Sequence, residues 1–211
     1  MINVLKEGKG IYYYNNGDKF DGEWKNDKKL KGTLYFNKEP FQGDKYEGYF
    51  LNDKFEGKGI YFWNDGDKYN GIWKNGKKEG KGIYYWNNGD RYEGDWKNDK
   101  KEGKGIYYYN DGDIYKGEFK NDEYEGNGVE YYNNGNKFEG HFRNGNSEGK
   151  GIYYYNEGDI YQGDFRNNRF EGKGIMYYNN GDREMGDYSN DESVGKHITL
   201  KKNGEIEINN Y

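Results

Sequence analysis

A turn glycine recurs at Gly17, Gly43, Gly66, Gly89, Gly112, Gly135, Gly158, Gly181 and Gly204, and from Gly43 onward every step is 23 residues. A fixed period of this length means stacked supersecondary units, none of which can bury its own apolar face alone. The first step is 26 residues, because the segment from Lys25 to Gly43 is enlarged around Pro40. On this frame residues 1–19 form a partial first repeat, 20–194 the array, and 195–211 a degenerate capping hairpin. Nearly the whole chain is used, and no separate domain is expected.

Each unit carries two strand signals. The first is aromatic-x-Gly-x-aromatic, as in Tyr69, Gly71 and Trp73; the second is Gly-x-Gly-x-aromatic-x-aromatic, as in Gly80, Gly82, Tyr84 and Trp86. Side chains alternate faces along a strand, so each set shares one face. Between the strands lies Lys74 to Glu79, and after them Asn87-Asn88-Gly89-Asp90, rich in residues that tolerate positive φ. Two strands and two turns repeated without crossovers predict an all-β fold, a single-layer twisted antiparallel meander of stacked hairpins. Glycine inside a strand marks close approach, so rings are expected to lie over the glycine gaps. Some sixteen strands at about 4.8 Å spacing predict a rod roughly 75–80 Å long.

Composition agrees with strands and tight turns. Aromatic residues make up 20% of the chain, Gly 35 of its 211 residues and Pro only one, while Ala is absent. The aromatic content argues against disorder, although only 31% is hydrophobic. With no Cys there are no disulfides and no thiolate chemistry, and the net charge of −5 provides no global basic field for nucleic acid. The first residues lack an apolar leader core and no apolar run approaches 18 residues, so a soluble chain without a secretory signal is expected.

The stretch Tyr69 to Gly89 follows the pattern Tyr-x-Gly-x-Trp-x-x-Gly-x-x-x-Gly-x-Gly-x-x-x-x-x-x-Gly almost symbol for symbol, and seven copies recur in register. This pattern resembles the MORN (membrane occupation and recognition nexus) repeat. The resemblance implies an array that serves as a protein-interaction, membrane-proximal or dimerising module. It implies a cytoplasmic setting on cytoskeletal, ciliary or junctional structures, peripheral to membrane in some cases. No fused catalytic domain is visible, so a non-enzymatic scaffold without cofactor is expected.

The main candidate surface is the aromatic face. Its expected partner-binding residues are Tyr46, Phe50, Tyr61, Trp63, Tyr69, Trp73, Tyr84, Trp86, Tyr92, Trp96, Tyr107, Tyr109, Tyr115 and Phe119, with Glu130 standing where a ring would otherwise point inward. These rings are either plain core or a groove for a partner helix or apolar peptide; a one-layer sheet has nothing else to cover it. Glu130 either meets a Lys or Arg of a partner or is an exposed or internally paired side chain, and Glu184 likewise replaces a ring. On one loop edge Lys74, Lys77, Lys78, Lys97, Lys100 and Lys101 form a possible contact for anionic phospholipid, diluted by Glu79, Asp99 and Glu102. The other edge collects Asp18, Asp67, Asp90, Asp113, Asp159 and Asp182; the loop charges are read first as solvated turns, with lipid contact at the lysine edge as the other reading.

Several motifs fail on spacing. Asn64-Asp65-Gly66-Asp67 lacks the rest of a calcium loop, Gly-Lys-Gly lacks the Walker ending, and His141 and His197 lie in different units with no nucleophile set. No catalytic residue, metal site or cofactor is expected. Nor is nucleic acid a partner, since acids offset the rings and lysines. At the ends, Gly8 to Asn16 is an edge strand, and Ile198 to Ile208 alternates around Asn203-Gly204. These ends are either caps or the contact of a homodimer through the terminal repeats.

Overall fold

A computed structural model gives the fold of residues 5–211; residues 1–4, which open the partial first repeat, lie outside the described residues. Among the described residues there is no helix, and eighteen strands carry the regular structure. The chain divides into two compact units, the first ending at Asn110 and the second running from Asp111 to Tyr211. The first holds β1 (Gly8–Tyr13), β2 (Lys19–Lys25), β3 (Lys28–Tyr35), β4 (Lys45–Leu51), β5 (Lys54–Phe62), β6 (Lys68–Lys74), β7 (Lys77–Tyr85), β8 (Arg91–Lys97) and β9 (Lys100–Tyr108). The second holds β10 (Ile114–Lys120), β11 (Glu123–Tyr131), β12 (Lys137–Arg143), β13 (Asn146–Tyr154), β14 (Ile160–Arg166), β15 (Arg169–Tyr177), β16 (Arg183–Ser189), β17 (Glu192–Leu200) and β18 (Ile206–Asn210). Within each unit every strand pairs antiparallel with the next along the chain. The all-β meander of consecutive hairpins expected from the repeat is the architecture observed.

The register explains the glycines. Gly71 lies opposite Gly82, which lies opposite Gly94, so a glycine furrow crosses the strands. The ring of Tyr69 folds back along β6 into that furrow, and a Cβ on either Gly71 or Gly82 would overlap it. Its hydroxyl donates to the Ile72 carbonyl at 3.1 Å. Tyr69 is thereby fully buried, with no second layer above it. The same ring-over-glycine arrangement recurs with Tyr46, Tyr92, Tyr115 and Tyr161, each hydroxyl donating to the carbonyl three residues on.

The two edges are made by different turns. Between β6 and β7 the turn is only Asn75-Gly76, with φ of 51° and 82°. Two consecutive positive φ values make the hairpin turn whose twist suits the flanking strands. On the other edge, the Trp63 N–H donates to the Asp67 carbonyl at 3.0 Å, closing a longer turn.

The acids of that second edge are tethers between repeats rather than solvated charges. Asp67 accepts the Tyr84 hydroxyl at 2.6 Å and the Asn87 N–H at 2.9 Å, while the Asn87 side-chain amide donates to the Asp65 carbonyl at 2.8 Å. Asp18, Asp90, Asp113, Asp159 and Asp182 each accept the corresponding backbone N–H of the next turn. Burial alone would raise the Asp90 carboxyl's pKa, yet the bonds from the Asn110 N–H and the Tyr107 hydroxyl outweigh it and hold the value below the ordinary carboxylate range. Turn spacing is thus fixed by charge-assisted bonds reaching twenty residues along the chain.

Candidate functional site: an aromatic face with cation boxes

The expected groove residues fall into two sets. Tyr46, Phe50, Tyr61, Tyr69, Trp73, Tyr84, Tyr92, Trp96, Tyr115 and Phe119 are buried. Trp63, Trp86, Tyr107, Tyr109 and Glu130 are half-buried. The first set is core: the indole N–H of Trp73 donates to the Gly59 carbonyl and that of Trp96 to the Gly82 carbonyl, each at 3.2 Å. Of the five tryptophans, then, Trp63 and Trp86 are the ones that combine a ring on this face with partial exposure.

In the first unit the half-buried rings belong to a continuous ladder. Centroids step from Tyr61 to Trp63 (4.5 Å), Tyr84 (5.1 Å), Trp86 (4.5 Å), Tyr107 (5.2 Å) and Tyr109 (4.5 Å). Trp63, Trp86 and Tyr109 each directly follow the last residue of β5, β7 and β9, where the chain enters the turn. In the second unit Tyr132, Tyr153 and Tyr155 continue the motif with steps of 5.9 and 4.9 Å.

The expected lysine cluster is split by the fold. Lys74, Lys77, Lys97 and Lys100 are exposed on the hairpin-turn edge. Lys78 and Lys101 instead turn onto the aromatic face. Because the turn is two residues long, β7 begins at Lys77 and Lys78 pairs directly with inward-facing Trp73. Its ammonium lies 4.4 Å from the Trp96 ring centroid and 4.5 Å from that of Tyr84, with Tyr69 and Trp63 beyond at 5.7 and 5.8 Å. Lys101 lies likewise 4.7 Å from Tyr107, with Trp86 and Tyr92 both at 5.7 Å. A cation over several partly desolvated ring faces is held by their quadrupoles.

Lys78 falls within the expected Lys74-to-Glu79 loop, yet its register position organises the face. In other repeats it holds Phe55, Tyr124 or Phe170, stacked on Tyr46, Tyr115 and Tyr161 at 3.8, 3.5 and 3.7 Å. Lys29 holds it too, bonded to the Tyr14 hydroxyl at 3.2 Å and paired with Asp53 at 3.0 Å. Rings recurring where a loop was expected were the available signal.

The two interrupting carboxylates are answered within the chain. Glu130 accepts the Tyr132 hydroxyl at 2.9 Å. Burial is the larger influence on it and outweighs that bond, so its pKa is raised. Glu184 is buried, accepts the Tyr178 hydroxyl at 2.7 Å and faces His197 Nδ1 at 3.1 Å.

The MORN repeat family model matches residues 5–19, 20–29, 46–68, 69–91, 92–114, 115–137, 138–160 and 161–183. The chain belongs to the MORN-repeat family. Between the matches the stretch 30–45, the enlarged segment around Pro40, is passed over, and beyond residue 183 there is no match. A comparison with curated proteins gives no match. Among solved structures, the MORN array is similar to the wild-type TCP10 domain of CPAP from Danio rerio, with TM-score 0.56 and 11% identity over 95% of this chain and 94% of that one. A point mutant of the same domain gives TM-score 0.50 and 12% identity over 96% and 99%. The SAS-4 (dCPAP) TCP domain of Drosophila melanogaster, solved in complex with a proline-rich motif of Ana2, gives 0.48 and 16% over 74% and 85%. For the two Danio rerio domains, at these identities, the likeness is one of fold.

Proposed function

We propose that this MORN array is a non-enzymatic scaffold that docks a partner protein along its aromatic face, through a helix or an apolar peptide. The observation that supports this reading is the ring ladder from Tyr61 to Tyr109, whose members Trp63, Trp86 and Tyr109 are stacked on neighbours yet half-exposed. Rings already fixed by packing lose little entropy on binding, which is why Trp and Tyr dominate binding hot spots. The setting proposed is cytoplasmic, on cytoskeletal, ciliary or membrane-proximal structures, as membership of the family suggests.

The test separates rim from core. Trp63→Ala with Trp86→Ala leaves Trp73 and Trp96 in place, so circular dichroism of this variant should match the parent. A photo-cross-linker placed at Trp63 or Trp86 should capture a discrete protein, and the double alanine variant should lose that protein in pull-down. If the same proteins are captured equally from an exposed position such as Lys97, the aromatic face is core alone and the reading fails.

A second reading concerns the opposite kind of surface. Lys54, Lys74 and Lys77 converge on a hollow of about 460 Å³ at the hairpin-turn edge, with Glu79 as its acid. That convergence favours contact with anionic phospholipid. Vesicles of phosphatidylserine should then sediment the array at low salt and release it as ionic strength rises. Sedimentation unchanged by charge reversal at all three lysines would discard it.

A further inference from the structure

One repeat of the second unit opens a pit where its neighbours are filled. Three repeats on from Lys78 the same register position holds Ser147, beside a cavity of about 260 Å³. The rings around it stand in the places of those around Lys78: Tyr153 for Tyr84, Phe165 for Trp96, Phe138 for Tyr69 and Tyr132 for Trp63. Phe170 adds a further ring, and the mouth carries Asn168 and Asp191. Backbone geometry is kept, since the Ser147 N–H is bound by Asn168 Oδ1 at 2.7 Å just as the Lys78 N–H is bound by Asp99 Oδ1 at 2.8 Å.

We propose that the Ser147 pit receives the ammonium-bearing side chain of a lysine, free or methylated, from a partner protein. The array itself shows what such a box holds: Lys78 and Lys101 supply their own ammonium to the equivalent rings of the first unit. In the second unit the box keeps its aromatic walls while Ser147 contributes neither cation nor bulk. The surrounding charge suits a cation. Burial first, then Tyr153, Asp191, Asp159 and Glu157, push the Tyr155 hydroxyl up to about 12, and those same carboxylates favour an incoming ammonium. The nearby base, Arg169, is turned to the Asn190 side chain at 3.0 Å.

This inference deepens the docking reading by naming one anchor, and it rests on that reading for its partner. The test uses a small probe, so that its failure is distinct from failure of the rim experiment at Trp63 and Trp86. The full chain, labelled for amide NMR, is titrated with n-butylammonium, which mimics a lysine side chain, and separately with neutral 1-pentanol. The expected result is saturable shifts at Ser147, Asn168 and Phe170, with the cation binding about tenfold tighter than the alcohol. Ser147→Lys should abolish the shifts by placing the chain's own ammonium in the box, as Lys78 does. Ser147→Phe, copying Phe55 and Phe170, should abolish them by bulk and serves if the lysine variant misfolds. Equal binding of 1-pentanol would show a merely apolar notch. No shift in the parent chain, or shifts unchanged in a folded filling variant, would likewise overturn the proposal.

Discussion

The hairpin of β6 and β7 and that of β16 and β17 meet the same packing demand from opposite strands. In the first, Tyr69 on the earlier strand covers the glycine pair, and its hydroxyl donates to the Ile72 carbonyl. In the second, Glu184 stands in the tyrosine's place and His197 in that of the second glycine. The imidazole now covers Gly186 from the later strand, and its Nε2 lies 2.8 Å from the Asp187 carbonyl, the register equivalent of Ile72. A carbonyl only accepts, so Nε2 carries a proton, and Nδ1 is left facing Glu184 at 3.1 Å. A ring, a donor and a glycine beneath are what the hairpin requires; which strand brings the ring is interchangeable. The exchange works only if both positions change together.

That coupling is open to direct attack. His197→Gly leaves Glu184 buried with the Tyr178 and Tyr211 hydroxyls as its partners and no imidazole, and breaking a buried pair on one side costs about 3–5 kcal/mol. Glu184→Tyr alone brings a second ring into space His197 already fills. The pair Glu184→Tyr with His197→Gly rebuilds the interior pattern and should recover most of the loss. Urea unfolding followed by circular dichroism gives the cycle, and additive single effects would show the two sites to be independent. Next in size, Gly71→Ala drives a methyl into the Tyr69 ring and should cost about 2–3 kcal/mol. The exposed neighbour Asn70→Ala should stay within about 0.5 kcal/mol. Equal effects at the two positions would mean that the ring moves aside freely.

Much of this was legible because strand alternation is a local rule. Tyr69, Gly71 and Trp73 on β6, and Gly82 and Tyr84 on β7, read directly as one face, and the repeat then fixed the meander. Two things were not legible. The first was turn length: six residues from Lys74 to Glu79 look like a charged loop, whereas Asn75-Gly76 alone makes the turn. Carrying the alternation back from Gly82 through Gly80 places Lys78 among the rings. The second was distance along the chain. Asp67 looks like a solvated turn acid until Asn87, twenty residues later, is brought onto its carboxylate. The same limit applied to burial, since no spacing rule says that Trp73 is sealed while Trp63 is half-open.

A smaller effect concerns the other carboxylate among rings. Glu130 occupies the position of Tyr84 and has only a tyrosine hydroxyl for company, without the imidazole that Glu184 enjoys. Its pKa is raised in the folded state by burial, so the native chain holds this proton more tightly than the unfolded chain does. Stability from this group is therefore greatest in acid and falls as pH rises from the ordinary carboxylate range through the raised folded value. Glu130→Gln should stabilise the chain by about 1 kcal/mol at neutral pH. The gain should vanish once Glu130 is protonated in acid. Thermal melts of both proteins across that window would check it, and a gain that grew toward acid would reverse the sign of the argument.

The smallest expected change tests whether a repeat's identity lies in one residue. Lys78→Ser would give the first unit the Ser147 arrangement, with Trp63, Tyr84 and Trp96 as walls. Losing one partly desolvated cation–π contact should cost about 1 kcal/mol. The strand itself should survive, because serine already stands at this register position in β13 and β17. Added n-butylammonium should then restore part of the lost melting temperature in the variant and leave the parent unmoved. Tryptophan fluorescence reads this box directly, as all five tryptophans lie in the first unit. If the variant is destabilised but ignores the cation, Lys78 acts through its methylene stem as packing. The boxes of the two units would then share their walls without sharing a preference for charge.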